Sequence, residues 1–306
     1  MRNRFAVSVV AIFLVLVGVT SSYSGSPTNV ATGVPRKAAK SFAVKIVGHG
    51  KPMLLIPGLT CGGDVWDGTV KHFKDRYECH VLTLAGFAGQ PAIEAPMLET
   101  VRSDIGAYIQ QKKLNHPVIV GHSLGAFLAF WIAASEPGRV GPVVAVDGGT
   151  FFPALMDPNA TAESAKAGAE TMRQIIGSQA AEEFAAQNKL FLGNMITDPK
   201  NLELIAPTCA KSDPKATGQA MYELMTTDLR EEASKIKTPV LLIGSGAGTI
   251  SPELKRTMEG RYEAQVAKVP NHKVVMAEKA RHFVMLDDPG FLFATMDEFL
   301  GVPAVK

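Results

Sequence analysis

Short apolar runs recur along the chain, the first two separated by the turn Gly48-His-Gly-Lys-Pro52. They are Phe42-Ala-Val-Lys-Ile-Val47, Met53-Leu-Leu-Ile56, His80-Val-Leu-Thr-Leu84, Pro117-Val-Ile-Val120, Val143-Val-Ala-Val146, Val240-Leu-Leu-Ile243 and Lys273-Val-Val-Met276. Runs this brief, rich in β-branched residues and apolar on both faces, suit strands of a parallel sheet covered by helices. The stretches between them follow a different period. From Met97 to Lys113, the residues Leu98, Val101, Ile105, Tyr108 and Ile109 fall close to a 3.6-residue repeat, which predicts a helix with one buried stripe. Ala126 to Glu136 is small and apolar, as a helix buried against a sheet would be. Strand and helix alternate, so residues 41–150 and 236–306 are expected to form a mostly parallel, doubly wound α/β core.

The alternation stops between Asp147 and Pro239. Helical patterns there cover Thr161 to Gly177, Ala180 to Phe191 and Lys215 to Thr226, with Met156, Met172, Met195, Met221 and Met225 spread among them. Residues 151–235 are therefore expected to form a helical cap. Methionines at helical spacing commonly pack an ordinary core. Their alternative use is to present flexible side chains to an apolar substrate. The insertion supports that use, because it interrupts the sheet on the edge where ligands bind in such folds.

The N-terminus is of another kind. Arg2 and Arg4 precede an apolar stretch from Phe5 to Val19, interrupted by Ser8, and small polar residues follow from Thr20 to Gly25. Residues 1–24 thus read as a signal peptide, which implies a periplasmic or secreted protein. The alternative is an uncleaved anchor over residues 5–19, since the run is only slightly short of the roughly 20 apolar residues that span a bilayer. Membrane association is expected only through this segment. Residues 25–40, rich in Ser, Pro, Thr, Gly and Lys, read as a polar linker.

Composition excludes more than it assigns. With 46% hydrophobic and 20% charged residues the chain is globular in character, and its net charge is only +2. Arg2 and Arg4 supply two of the positive charges, and no basic run elsewhere suggests a nucleic-acid partner. Three cysteines and seven histidines lack metal-ligand spacing, so no metal or other cofactor is expected.

The chemistry concentrates in Gly121-His122-Ser123-Leu124-Gly125, which follows the apolar strand ending at Val120 and opens the helix starting at Ala126. Gly-x-Ser-x-Gly between strand and helix is a nucleophile elbow: a sharp turn strains the serine backbone and leaves no room for side chains at the glycines. From about Phe42 to Phe299 the chain resembles the α/β-hydrolase superfamily. That resemblance implies the α/β-hydrolase fold, with the cap inserted after the family's sixth strand.

The segment Leu54-Leu-Ile-Pro-Gly-Leu-Thr60, followed by Trp66, resembles the oxyanion loop after the family's third strand, with Pro57 where His is more usual. The resemblance implies that the N–H groups of Leu59 and Leu124 form the oxyanion hole. Leu84-Ala-Gly-Phe-Ala-Gly-Gln90 matches another family stretch in part, with Thr83 where Asp is common. Ala280-Arg-His-Phe-Val-Met-Leu-Asp-Asp-Pro289 resembles the loop of the catalytic histidine and nominates His282 as general base, although Arg281 replaces a usual Gly. His272 precedes the last strand and belongs to the opposite end of the sheet. The acid usually follows the strand equivalent to Val240–Ile243, but Gly244-Ser-Gly-Ala-Gly248 places Ala247 there. Some relatives carry the acid one strand earlier, where Asp147 stands; a turn residue before Gly148-Gly149 is its other reading. Among the cysteines, only Cys61 and Cys209 are a conceivable pair, because Cys79 begins a strand at the far edge.

These residues predict a serine hydrolase cleaving an ester, thioester, lactone or similar acyl bond, with a small apolar acyl substrate and an acyl-enzyme intermediate. Two alternatives stand beside it. One is a non-catalytic ligand-binding protein on the same scaffold, suggested by the missing Asp after Ile243. The other is an aminopeptidase or haloperoxidase-type relative, in which Glu182, Glu183 and Glu223 of the cap could hold a substrate amine.

Overall fold

The computed structural model of the chain describes residues 40–247 and 251–301. The signal or anchor segment and all but the last linker residue lie outside the described residues. Seven strands form one sheet: β1 (Phe42–Gly48), β2 (Lys51–Ile56), β3 (Tyr77–Leu84), β4 (Val118–His122), β5 (Val143–Val146), β6 (Val240–Ser245) and β7 (His272–Ala277). Their order is β1-β3-β2-β4-β5-β6-β7. Only β1 runs antiparallel, with Phe42 opposite Leu84 and Gly48 opposite Glu78; the other pairings are parallel. The loop resembling the one after the family's third strand follows β2 here, so β5 is the sixth strand of that numbering.

Two strands outrun their apolar patterns. β3 starts at Tyr77 rather than His80, because Tyr77 pairs with Lys51 and Cys79 with Met53 of β2. β4 continues to His122 because Gly121 and His122 pair with Ala145 and Val146 of β5, which carries the ladder into the elbow.

The helices that cover this sheet are α1 (Asp67–Phe73), α2 (Met97–Gln111), α3 (Leu124–Ser135), α4 (Ala162–Gly177), α5 (Ala181–Met195), α6 (Pro199–Cys209), α7 (Pro214–Thr226), α8 (Pro252–Val266), α9 (Val284–Asp287) and α10 (Pro289–Phe299). Both faces of the sheet's centre are buried, as β2 shows residue by residue, while the edge strand β1 is largely exposed. Leu54 and Ile56 join the core formed with α2 and α3, whereas Met53 and Leu55 join the core formed with α1, α9 and α10. All four are 0% exposed, and alternation across the pleat explains why the run carries no polar face.

Helices α4 to α7 lie between β5 and β6 and divide between those two cores. Ala216, Ala220, Met221 and Leu224 of α7 extend the α2–α3 side. Leu192 and Met195 of α5, with Ile205, Ala206 and Cys209 of α6, extend the other. Met195 and Met221 are therefore core residues, while Met172 and Met225 are partly buried against it. Thr161 starts α4 with a reciprocal bond to Ser164, a capping box. Helix α6 was not visible as a pattern. Asp198 caps it ahead of Pro199, but Pro207 interrupts its interior, and proline there disguises a helical run.

Candidate active site

Ser123 sits between β4 and α3 with φ 55° and ψ −116°, a backbone state that an L-residue seldom adopts. The strain is held by neighbours on every side. Ser123 N–H donates to Val146 O of β5 at 2.9 Å, and Ser123 O accepts the first amides of α3. A Cβ on Gly121 would lie 2.1 Å from Gly125 O, and one on Gly125 would lie 2.2 Å from Ile56 O. Both glycines are thus required by close backbone approach. The partly exposed serine is left at the positive end of the α3 dipole.

The structure brings Asp147 and His282 together. Asp147 ends β5 at φ 48°, and its amide donates to Ile243 O at 2.8 Å. His282 Nδ1 and Asp147 Oδ2 are 2.6 Å apart, with the carboxylate side chain 2% and the imidazole 15% exposed. Burial would by itself raise the carboxyl pKa. The hydrogen bond and charge of His282, then the bonds from Tyr262 and Ser245, outweigh it and hold Asp147 below the usual carboxylate range. Its other oxygen, Oδ1, accepts from Ser245 N–H at 2.7 Å and from the Tyr262 hydroxyl. With Nδ1 committed to Asp147, Nε2 is the ring nitrogen left for a proton on the substrate side. Ser123 Oγ has no hydrogen-bond partner among the described residues. Such contacts often close only when substrate is bound.

His122 fills the space behind the imidazole. Its Nε2–H donates to the backbone oxygen of His282 at 3.0 Å, and the two ring centroids are 4.6 Å apart. Burial, reinforced by the neighbouring His282, pushes its pKa down to about 3, so this ring stays neutral. Gly58 lies against the same pair of residues. A Cβ there would come within 2.9 Å of His122 Nδ1 and 3.2 Å of Ser123 Cβ, which places the loop carrying Leu59 beside the serine. Leu124, the first residue of α3, adjoins the serine from the other side.

The insertion touches this machinery at two points. Ser212 Oγ donates to Thr60 O at 2.8 Å, and Cys209 Sγ lies 3.8 Å from Cys61 Sγ just beyond the same loop. Both thiols are free and buried. On the histidine loop, Asp287 accepts from Thr197 N–H and Oγ1–H and from Arg281 N–H, and Asn201 Nδ2 donates to Leu286 O. Arg281, which stands where the resemblance leads one to expect glycine, is thereby tied into the loop through its amide. A cavity of about 430 Å³ opens elsewhere, between β1 and the Gly62–Asp67 segment, and is not lined by Ser123, Asp147 or His282.

Other candidates fall away from the site. His272 Nδ1 is bound to Val269 O at the opposite end of the sheet. Glu182 and Glu183 are exposed on α5, and Glu223 is engaged in capping α2 through Met97 N–H and Leu98 N–H at 2.8 and 2.6 Å. Tyr262 and Ser245 are the participants that sequence reasoning missed. Gly244 was a signal for the first: a Cβ there would meet the Tyr262 ring at 2.6 Å.

A family model described as "Alpha/beta hydrolase family" matches residues 53–295. A pimeloyl-[acyl-carrier protein] methyl ester esterase from Aeromonas hydrophila subsp. hydrophila is 26% identical over 269 residues, 85% of this chain and 100% of that protein. An N-formylmaleamate deformylase from Pseudomonas putida is 23% identical over 285 residues, 91% of this chain and 99% of the relative. Among solved structures, the enol-lactonase from Burkholderia xenovorans LB400 superimposes with a TM-score of 0.68 at 16% identity, covering 85% of this chain and 96% of its own. An esterase from Exiguobacterium antarcticum gives 0.68 at 17%, covering 85% and 95%. At these identities the structural likeness is one of fold.

Proposed function

The chain belongs to the alpha/beta hydrolase family, and within it we propose that the protein is an exported serine esterase acting on a small, largely apolar acyl substrate. Ser123 Oγ attacks the acyl carbonyl while His282 Nε2 takes its proton. The oxyanion is received by the amides of Leu59 and Leu124, each such donor contributing about 3 kcal/mol to the transition state. Collapse expels the alcohol, protonated by His282, and leaves an acyl group on Ser123. Water then repeats the sequence with the same base and releases the acid. Asp147 keeps the Nδ1–H tautomer and stabilises the imidazolium, making a Ser-His-Asp triad.

The observation that carries this reading is the 2.6 Å pairing of Asp147 with His282 at the same sheet edge as the strained Ser123 elbow. An acid at the end of β5 supports this reading over a non-catalytic scaffold, which rested on the missing carboxylate after β6. The relatives named esterase and deformylase support acyl hydrolysis.

A fluorophosphonate probe tests it. Stoichiometric labelling of the folded protein, abolished by Ser123→Ala, is expected; a folded protein that takes up no probe removes the reading. Export is tested separately by the N-terminal sequence of the protein recovered outside the cytoplasm. A start near residue 25 fits a cleaved signal, and Met1 in the membrane pellet fits the anchor instead.

A further inference from the structure

Tyr262 has no counterpart in the mechanism above, yet it touches the acid directly. It is 4% exposed and reaches from α8 to Asp147 Oδ1, across 115 residues of chain. We propose that Tyr262 is a positioning residue whose hydroxyl orients the Asp147 carboxylate and draws part of its negative charge away from His282. The proposal rests on Ser123, His282 and Asp147 acting as described.

The argument is one of acceptor sites. A carboxylate offers about four lone-pair positions on two oxygens, and with its side chain 2% exposed Asp147 must fill them from the protein. Among the described residues Oδ2 meets His282 alone, whereas Oδ1 takes two donors, Ser245 N–H and Tyr262 O–H. Those two bonds stop the group from turning and exchanging its oxygens. They also pull charge toward Oδ1. Without the phenol, Oδ1 keeps one backbone donor, the carboxylate becomes more basic, and the imidazolium opposite Oδ2 is stabilised further.

The other groups around His282 do not compete for this effect. From β4, His122 faces the ring, but burial holds it neutral with a pKa of about 3. From the histidine loop, Arg281 directs its guanidinium to Asn194 O, and Asp287 accepts the Arg281 amide. From α8, Tyr262 acts through Asp147, and Ser245 contributes its amide from the end of β6. The ring itself lies against Gly244, so a phenylalanine fills the same space and deletes only the oxygen.

The test is the pH dependence of fluorophosphonate labelling of the full chain, which needs no knowledge of the natural substrate. Tyr262→Phe should move the acid limb of the rate upward by about half a pH unit and lower the plateau roughly 3- to 30-fold, the loss of one charge-assisted bond. Global incorporation of 3-fluorotyrosine gives the opposite arm. It replaces all five tyrosines, but among the described residues Tyr262 is the one bonded to Asp147, and its more acidic phenol should move the limb downward. A purely structural role would shift neither limb. An unmoved limb in folded Tyr262→Phe overturns the proposal; if that variant does not fold, an unmoved limb in the fluorotyrosine protein does so. Wild-type protein that takes up no probe removes the Ser123 reading and this one with it. Labelling that depends on Ser123 but shows no shift removes Tyr262 alone.

Discussion

The floor and the roof of this site are held by different forces. The floor is the carboxyl edge of the sheet, where Ser123, Asp147, His122 and Tyr262 are set by backbone ladders and by hydrogen bonds that are largely sealed from water. The roof is the insertion, and its two halves differ again. Helix α7 packs so closely on α4 that a Cβ on Gly218 would sit 2.6 Å from Arg173 O, and Glu223 anchors it to the start of α2. Around α5 and α6, by contrast, the His282 loop is held by exposed or part-buried bonds from Thr197 and Asn201, while Ser212 just after α6 makes a buried bond to Thr60, and Leu190 and Leu204 stand 72% and 69% exposed. Bonds inside a low dielectric are strong and costly to leave unmade, while exposed ones contribute little. The floor should therefore govern catalysis, α4 and α7 stability, and α5 and α6 the ease with which the loops move.

The largest expected effect is on the floor. Asp147→Asn should slow fluorophosphonate labelling by about 10³- to 10⁴-fold, because the imidazole loses its tautomer and its counter-charge. Retention of even a tenth of the rate would break the contrast with the roof.

His122 gives the floor a signature in stability. Its folded pKa of about 3 lies below the unfolded value near 6.5, so the unfolded chain binds this proton first. Stability from the neutral ring is fully present above about pH 6.5 and falls on acidification toward pH 3, at about 1.4 kcal/mol per pH unit. Asp147, held low, adds its own loss only as pH falls below the ordinary carboxylate value of about 3.9. Urea unfolding from pH 7 to pH 4 should show the first slope, and His122→Gln should flatten it.

In the roof, Gly218→Val should destabilise by about 2–3 kcal/mol, since the added methyls force α7 away from the Arg173 backbone. The labelling rate at low temperature should stay near wild type, and a large loss there would show that α7 shapes the site directly. Asp287→Ala should change the unfolding free energy by less than about 1 kcal/mol and the labelling rate by only a few-fold. Leu204→Ser serves as its control, within about 0.5 kcal/mol of wild type.

Much of this was legible in the chain. The central strands announced themselves as short apolar runs because the sheet is buried on both faces there, and the turn at Ser123 announced itself because the elbow needs glycine at two fixed offsets. His282 followed from its place after the last strand. Helix α6, by contrast, hid behind Pro207. Glu223, read as a possible ligand for an amine, turned out to be a helix cap, since a carboxylate on a helix looks the same in either use.

What the chain by itself determined was therefore everything set by short-range rules: the strand and helix periods, the turn chemistry of Gly121 and Gly125, and the order of serine, candidate acid and histidine. What only the tertiary structure decided was how Asp147 is held. Asp147 meets a histidine 135 residues away and a tyrosine 115 residues away, and the amide of Ser245 enters from a third segment. A carboxylate's basicity depends on which donors converge on it in three dimensions. Periodicity records only which face of its own element a residue occupies.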